Sequence, residues 1–255
     1  MFRPRIIPLL LIQNQALVKS KQFKKHRYIG DPINAVKIFN DLKADEIVLL
    51  DIDATKEKRT IPIDFVSVLS EETNMPFSVG GGIRSIEQVQ AILASGAEKV
   101  IIGGYAIENP DFIKLVSDYF GSSTIVVCID VKNNLFKNTR VWSHNGKKSS
   151  KYSPVDFAKL MEEKGAGEII IQSIEHDGMM SGYNIKLIKE ISTTVSIPVV
   201  ALGGAGTIDH LREAYHSGYA NALAAGSMFV YQGPKNGVLI NYPNRKDIHS
   251  LIFSA

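Results

Sequence analysis

Cysteine is nearly absent from this chain. Cys128 is the only one in 255 residues, which excludes an internal disulfide and a cysteine metal cluster. It lies inside the run Ile125-Val126-Val127-Cys128-Ile129, where a small buried apolar residue is expected. Long hydrophobic runs are also missing. The apolar stretch Ile6–Ile12 is broken by Pro8, is too short to span a bilayer, and has no small-residue cleavage site after it. The expectation is a cytoplasmic protein with no membrane attachment. Neither sign of charge dominates: the net charge of +3 gives no argument for nucleic acid. The one basic cluster, Lys19 to Arg27, reads as a solvated loop beside a phosphate site. The histidines are scattered without metal-ligand spacing. His176, on a loop, reads as a solvated side chain. There is no nucleophile elbow, His-Glu-x-x-His site or Walker loop. Neither a metal nor a cofactor is expected.

Glycine, in contrast, is concentrated where it can matter. Phe77-Ser78-Val79-Gly80-Gly81-Gly82-Ile83 and Val200-Ala201-Leu202-Gly203-Gly204-Ala205-Gly206 are each introduced by an apolar residue and a proline, Met75-Pro76 and Ile197-Pro198. A strand that ends in consecutive glycines lets backbone N–H groups crowd around a ligand, most often a phosphate. Glycines also make plain turns, so one such stretch is weak, whereas two copies form a pattern. Pro76 and Pro198 are separated by the same interval as Glu46-Ile47-Val48 and Glu168-Ile169-Ile170. Gly96-Ala97-Glu98-Lys99-Val100 is echoed by Gly218-Tyr219-Ala220-Asn221-Ala222. The chain reads as two copies of one half.

Between these landmarks, strands and helices alternate. Apolar runs without a period of two, as in strands buried on both faces, are expected at 6–12, 46–52, 76–79, 99–104, 124–130, 168–173, 199–202 and 222–225. A polar segment separates the first strand from Asp31-Pro32, where Asp caps and Pro opens a helix. Helical patterns follow at 60–73, from Ser85, from Asn109-Pro110, at 156–164, 184–194 and 209–217. Eight βα units in a chain of this length predict a single (βα)8 barrel over 1–255, built from two half-barrels; an open doubly wound sheet is the lesser alternative. Residues 132–150 break the pattern and suggest an inserted β-hairpin, marked by Leu135-Phe136, Val141-Trp142 and Asn145-Gly146.

Chemistry in such barrels sits at the C-terminal ends of the strands. Asp130 ends an otherwise apolar strand, where a carboxylate is costly unless used or paired, and it is the leading acid–base candidate. Asp51 and Asp177 are weaker candidates that could simply organise loops. Half-barrel symmetry sets Gly81-Gly82 opposite Gly203-Gly204 across the mouth, with Gly226-Ser227 after the last strand and Lys19 after the first. Two facing cradles would suit a phosphorylated small molecule with a phosphate at each end.

These residues carry a specific resemblance. Arg5-Ile6-Ile7-Pro8, Leu50-Asp51-Ile52, Phe77 to Ile83, Glu108-Asn109-Pro110, Lys164 to Ile169, Asp177-Gly178 with Ser181-Gly182-Tyr183, and Gly203 to Gly206 resemble HisF. HisF is the cyclase subunit of imidazole glycerol phosphate synthase, and the similarity runs from Arg5 to about Phe229. The resemblance implies docking to a HisH-type glutaminase as a heterodimer, with ammonia passing through the barrel to a phosphorylated substrate at the top. The family's gate of two basic and two acidic residues matches Arg5, Glu46, Lys99 and Glu168, each at the start of a strand; a structural salt-bridge cluster is the alternative role.

The family's two catalytic aspartates fall on Asp130 and on Leu11, and leucine cannot exchange a proton. The family's Asn-Thr after the fourth strand is Gly103-Gly104. Its Ser before the seventh-strand glycines is Leu202, and its Thr ending the sixth strand is Gln172. The segment Tyr231 to Pro243 departs from the usual C-terminal helix and makes 230–255 atypical. It looks like that of WbuZ-like HisF paralogues, which supply ammonia to a separate amidotransferase converting an acetamido sugar to an acetamidino sugar. The resemblance therefore implies two alternatives, ammonia delivery for surface-polysaccharide amidation or cyclisation of PRFAR to IGP and AICAR in histidine biosynthesis. A HisA-like isomerase comes last, because it too needs a carboxylate at Leu11.

Overall fold

A computed structural model describes residues 3–134, 138–233 and 235–252. Eight parallel strands close into a barrel: β1 (Arg5–Gln13), β2 (Ile47–Asp51), β3 (Phe77–Gly80), β4 (Lys99–Ile102), β5 (Ile125–Asn133), β6 (Glu168–Ser173), β7 (Val199–Leu202) and β8 (Ala222–Ala225). β1 pairs with both β2 and β8, and β5 with both β4 and β6, so the sheet has no free edge among these eight. The (βα)8 expectation is met, and the open sheet is excluded.

The pairing explains why the strands read as unbroken apolar runs. Neighbours Leu9↔Val48, Leu11↔Leu50, Ile170↔Cys128, Gln172↔Asp130 and Val200↔Ala222 define one alternating set of residues. Ile7, Leu9, Val48, Ile101, Val126, Cys128, Ile170, Val200, Leu202, Ala222 and Ala224 pack together as an inner cluster filling the lumen. The alternate residues, such as Ile6, Leu10, Leu49, Val127 and Ile171, join the outer core beneath the helices. Both phases are apolar because both faces of the sheet are covered.

The outer layer is α1 (Pro32–Asp41), α2 (Ile63–Glu72), α3 (Ile86–Ala94), α4 (Asp111–Phe120), α5 (Pro154–Glu163), α6 (Ile185–Ser192), α7 (Ile208–His216) and α8 (Arg245–Ile252). Their starts are written locally. Asp31, Ser153, Asn184 and Thr207 each cap with a side-chain oxygen, and Ser85 with Gln88 forms a reciprocal capping box. The half-barrel repeat extends to single bonds. Ile47 N–H donates to Pro76 O and Ile169 N–H to Pro198 O, both at 3.0 Å.

Two excursions rise from the strand ends. β1 turns back at Asn14 and Gln15, both at positive φ, into Ala16–Lys21 and then Lys24–Gly30. The segment expected to be a polar loop is therefore an antiparallel ribbon, because its polar residues face outward along one strand while Leu17 to Ser20 bury themselves. The second excursion pairs Thr139–Ser143 with the far end of β5 and carries Lys148–Ser149 beside it. Leu135-Phe136 of the expected hairpin lie outside the described residues. After β8, Tyr231-Gln232 pairs with Gly237-Val238, and α8 then packs on α7, with His216 Nε2 2.8 Å from Leu251 O. A helix does follow the unusual segment. Among the described residues no helix is long and apolar enough to cross a membrane.

Candidate functional site at the barrel mouth

At the N-terminal end of the lumen, four charged side chains interlock. Arg5 bridges Glu46 and Glu168, while Lys99 Nζ lies 2.8 Å from Glu168 and 3.7 Å from Glu46. Glu46 also accepts from Ser78 Oγ at 3.0 Å. Both glutamates are buried, at 4% and 6% exposure, so each carboxylate needs its partners. Burial works against a charged Arg5, but Glu168 and Glu46 outweigh it and hold the guanidinium's pKa above its ordinary value. The structure thus brings Arg5, Glu46, Lys99 and Glu168 into one ring.

Beyond the inner cluster, the lumen opens into a cleft at the strand C-termini, with about 930 Å³ of open space including its mouth. Leu11, Leu50, Ile101, Cys128, Asp130 and Gln172 line its floor, and Phe23, Ile52, Ile83 and Tyr105 its sides. Asp130 stands on the inward phase of β5, two residues beyond Cys128, whose Sγ is 3.8 Å from Asp130 Oδ1. Burial, and then the charge of Asp177, raise the Asp130 carboxyl to about 7. A carboxyl at that value can give or take a proton near neutrality. Burial and Asp130 together keep the Cys128 thiol protonated. Leu11, on the corresponding phase of β1, presents no second proton-exchanging group.

Asp51 lines the same cleft but is engaged. It accepts from the N–H groups of Asp53 and Ala54 at 3.0 and 3.1 Å and from Arg59 Nη1 at 2.5 Å. It organises the loop after β2. Arg59, eight residues away in a polar loop, gave no signal in the sequence beyond its charge. Asp177 accepts from Ser20 Oγ at 2.9 Å and Phe23 N–H at 3.3 Å, tying the β1 ribbon to the β6 loop. Burial raises its pKa against these bonds. His176 is not simply solvated: its Nδ1 lies 2.8 Å from the buried Ser173 Oγ.

A smaller recess of about 390 Å³ opens beside the cleft, lined by Lys19, Asp177, Gly203, Gly204, Gly226 and Ser227 among others. Lys19 belongs here and not to a solvated loop. It is 5% exposed, its Nζ donates to Leu9 O at 2.6 Å, and burial lowers its pKa to about 8 against the pull of Asp177. A Cβ on Gly226 would sit 2.1 Å from that nitrogen, so a side chain there would push the ammonium out of its present position. Gly81 and Gly82 lie across the mouth at positive φ, and a Cβ on Gly82 would meet Arg59 O at 1.8 Å.

A barrel with this ring and this mouth belongs to a defined group. The family model described as "Histidine biosynthesis protein" matches residues 5–234. The chain is 44% identical to "Putative imidazole glycerol phosphate synthase subunit HisF" of Leptospira interrogans, covering 99% of this chain and all of that protein. It is 40% identical to "Putative imidazole glycerol phosphate synthase subunit hisF2" of Pseudomonas aeruginosa, covering 97% of this chain and all of that one. It is 44% identical to "Imidazole glycerol phosphate synthase subunit HisF" of Pyrococcus furiosus, covering 91% of each. The chain belongs to the histidine biosynthesis protein family. Within that family it is HisF-like.

Proposed function

We propose that this chain is an ammonia-receiving synthase subunit that docks a HisH-type glutaminase on the face holding Arg5, Glu46, Lys99 and Glu168. Ammonia crosses the apolar lumen and reaches an acceptor chemistry that does not use two aspartates, namely amidation of a surface-polysaccharide sugar by a separate amidotransferase. One observation carries the reading. The four-residue ring at the entrance is complete, while at the exit Asp130 shares the cleft with Leu11, and the Asp51 carboxylate that also lines it is already held by Arg59. Small apolar side chains such as Ala222 and Ala224 line the lumen between, and they suit a neutral molecule better than an ion. Where two carboxylates share the acid–base work, losing one costs on the order of 10²–10⁴ in rate.

The test is an ammonia-dependent cyclase assay. Purified protein with PRFAR and an ammonium salt is expected to form no IGP or AICAR, while a cognate HisH-type glutaminase is retained on the immobilised barrel. Turnover at a rate ordinary for an enzyme overturns the reading. The cyclase alternative has one specific support, the Asp130 carboxyl at about 7, and it predicts that Asp130→Asn abolishes that turnover.

A further inference from the structure

The C-terminal segment that departs from the usual helix returns to the opposite end of the barrel. Beyond the pairing of Tyr231-Gln232 with Gly237-Val238, it runs back along the short helix Ser227–Val230. Leu239 N–H donates to Val230 O at 3.0 Å and Asn241 N–H to Phe229 O at 2.9 Å. This sets the Tyr242 ring against the fully buried Phe229, with centroids 5.7 Å apart. The Tyr242 hydroxyl then reaches the N-terminal end of the sheet. There it donates to Ile6 O at 3.0 Å and accepts from Asp45 N–H at 3.2 Å.

That spot lacks ordinary strand pairing. Ile6 and Pro8 lie on the phase of β1 that faces β2, the phase on which Ile12 O accepts from Ile52 N–H at 3.0 Å. Proline has no N–H to give, and the β1–β2 pairing stops at Leu9↔Val48. Continued at the same offset, the register sets Ile6 opposite Asp45, two residues before β2 begins. Side chains join the two segments instead. Asp45 Oδ2 accepts from Ile6 N–H at 2.9 Å, and Arg3 holds the same carboxylate. The Tyr242 hydroxyl takes the groups left over, Ile6 O and Asp45 N–H, and so uses its donor and one of its two acceptor positions. Burial, and then the charge of Asp45, raise the phenol's pKa, so it stays a donor.

Both ends of this clasp adjoin the ring. Arg5 precedes Ile6, Glu46 follows Asp45, and the Arg5 guanidinium bridges Glu46 to Glu168. A slip of either segment moves one partner of that bridge relative to the other. We infer that Tyr242 is a positioning residue for the entrance ring, its hydroxyl standing in for the ladder bonds missing beyond Leu9 and holding Arg5 in register with Glu46. The inference rests on the reading of that ring as the face where a glutaminase docks, and adds that the C-terminal segment sets its geometry.

The test is Tyr242→Phe in the full chain, which keeps the ring on Phe229 and removes only the hydroxyl. In a nitrogen-15 spectrum the Arg5 side-chain N–H resonance is expected to shift or broaden, while the amide signals of α3 and α4 stay in place. Affinity for a HisH-type glutaminase should fall by about twofold to tenfold, the cost of ordering side chains no longer held before docking. In the unaltered protein, Asp45 N–H should exchange with deuterium at least about tenfold more slowly than an unstructured amide, a measurement that stands even if Tyr242→Phe does not fold. An unmoved Arg5 resonance in folded Tyr242→Phe, an unchanged glutaminase affinity, or rapid exchange at Asp45 overturns the inference. If the unaltered barrel retains no glutaminase, the docking reading fails by itself, and the Arg5 resonance and Asp45 exchange still decide whether Tyr242 sets the ring.

Discussion

The two ends of the lumen solve the problem of buried charge in opposite ways. At the N-terminal end, two cations and two anions from β1, β4, β6 and the residue just before β2 satisfy one another within the protein. At the C-terminal end, burial moves the pKa values of Asp130 and Lys19 toward neutrality, Lys19 against the pull of Asp177, and neither side chain forms a salt bridge among the described residues. The first arrangement is an ion-pair cluster closed on itself. The second leaves two buried ionisable groups without a salt-bridge partner among the described residues, as expected where a ligand supplies one.

Breaking the ring should have the largest effect on stability. Glu168→Ala leaves Arg5 and Lys99 sharing Glu46, and should cost roughly 3 kcal/mol, at the low end for a buried pair because Arg5 keeps some contact with water. Urea unfolding measures it, and a loss under about 1 kcal/mol would erase the contrast between the ends.

At the mouth the sign reverses. The Asp130 carboxyl is raised above its unfolded value, so the folded protein holds a proton that the unfolded chain releases. The penalty is absent at pH below 4 and grows as pH rises toward about 7. Asp130→Asn should therefore stabilise the protein at pH 8 by on the order of 2 kcal/mol and flatten the stability profile between pH 4 and 7. An Asp130→Asn protein less stable at pH 8 than the parent would show that the carboxylate is partnered after all.

Filling the space between the ends tests their connection. Ala224→Leu adds volume to the packed inner cluster and should cost about 1–2 kcal/mol. In a complex with the glutaminase it should reduce ammonia delivered from glutamine much more than it alters glutaminase docking, read by ammonia leaking to the medium. Equal delivery would mean that the lumen is not the route. The smallest effect is reserved for an exposed pair. Lys114→Ala breaks the 2.9 Å contact with Asp118 on the surface of α4 and should change stability by less than about 0.5 kcal/mol.

Much of this was legible before the fold was known. β6, β7 and β8 span the residues expected from their apolar runs, and the ring residues, singled out by the resemblance to HisF, lie at or just before strand starts. Other features were not legible, for reasons that differ. The β1 ribbon looks like a loop in the sequence because its strand Lys24–Gly30 is largely exposed and carries no apolar alternation. The burial of Lys19 has no local signal in the sequence, because it depends on that ribbon folding over the mouth. α8 begins with charged residues, and its sequence gives little sign of the face that packs on α7.

The sequence by itself determined the eight βα units, their two-fold repeat and the residues at each strand end, because periodicity, caps and glycine punctuation are local properties. Only the tertiary structure decided which of those residues meet. Inward and outward phases cannot be told apart along a run that is apolar on both faces. Strand pairing settled that Leu11, Cys128, Asp130 and Gln172 share the lumen side. The folded loops likewise decided that Asp51 is held by Arg59, while Lys19 makes one hydrogen bond among the described residues, to Leu9 O.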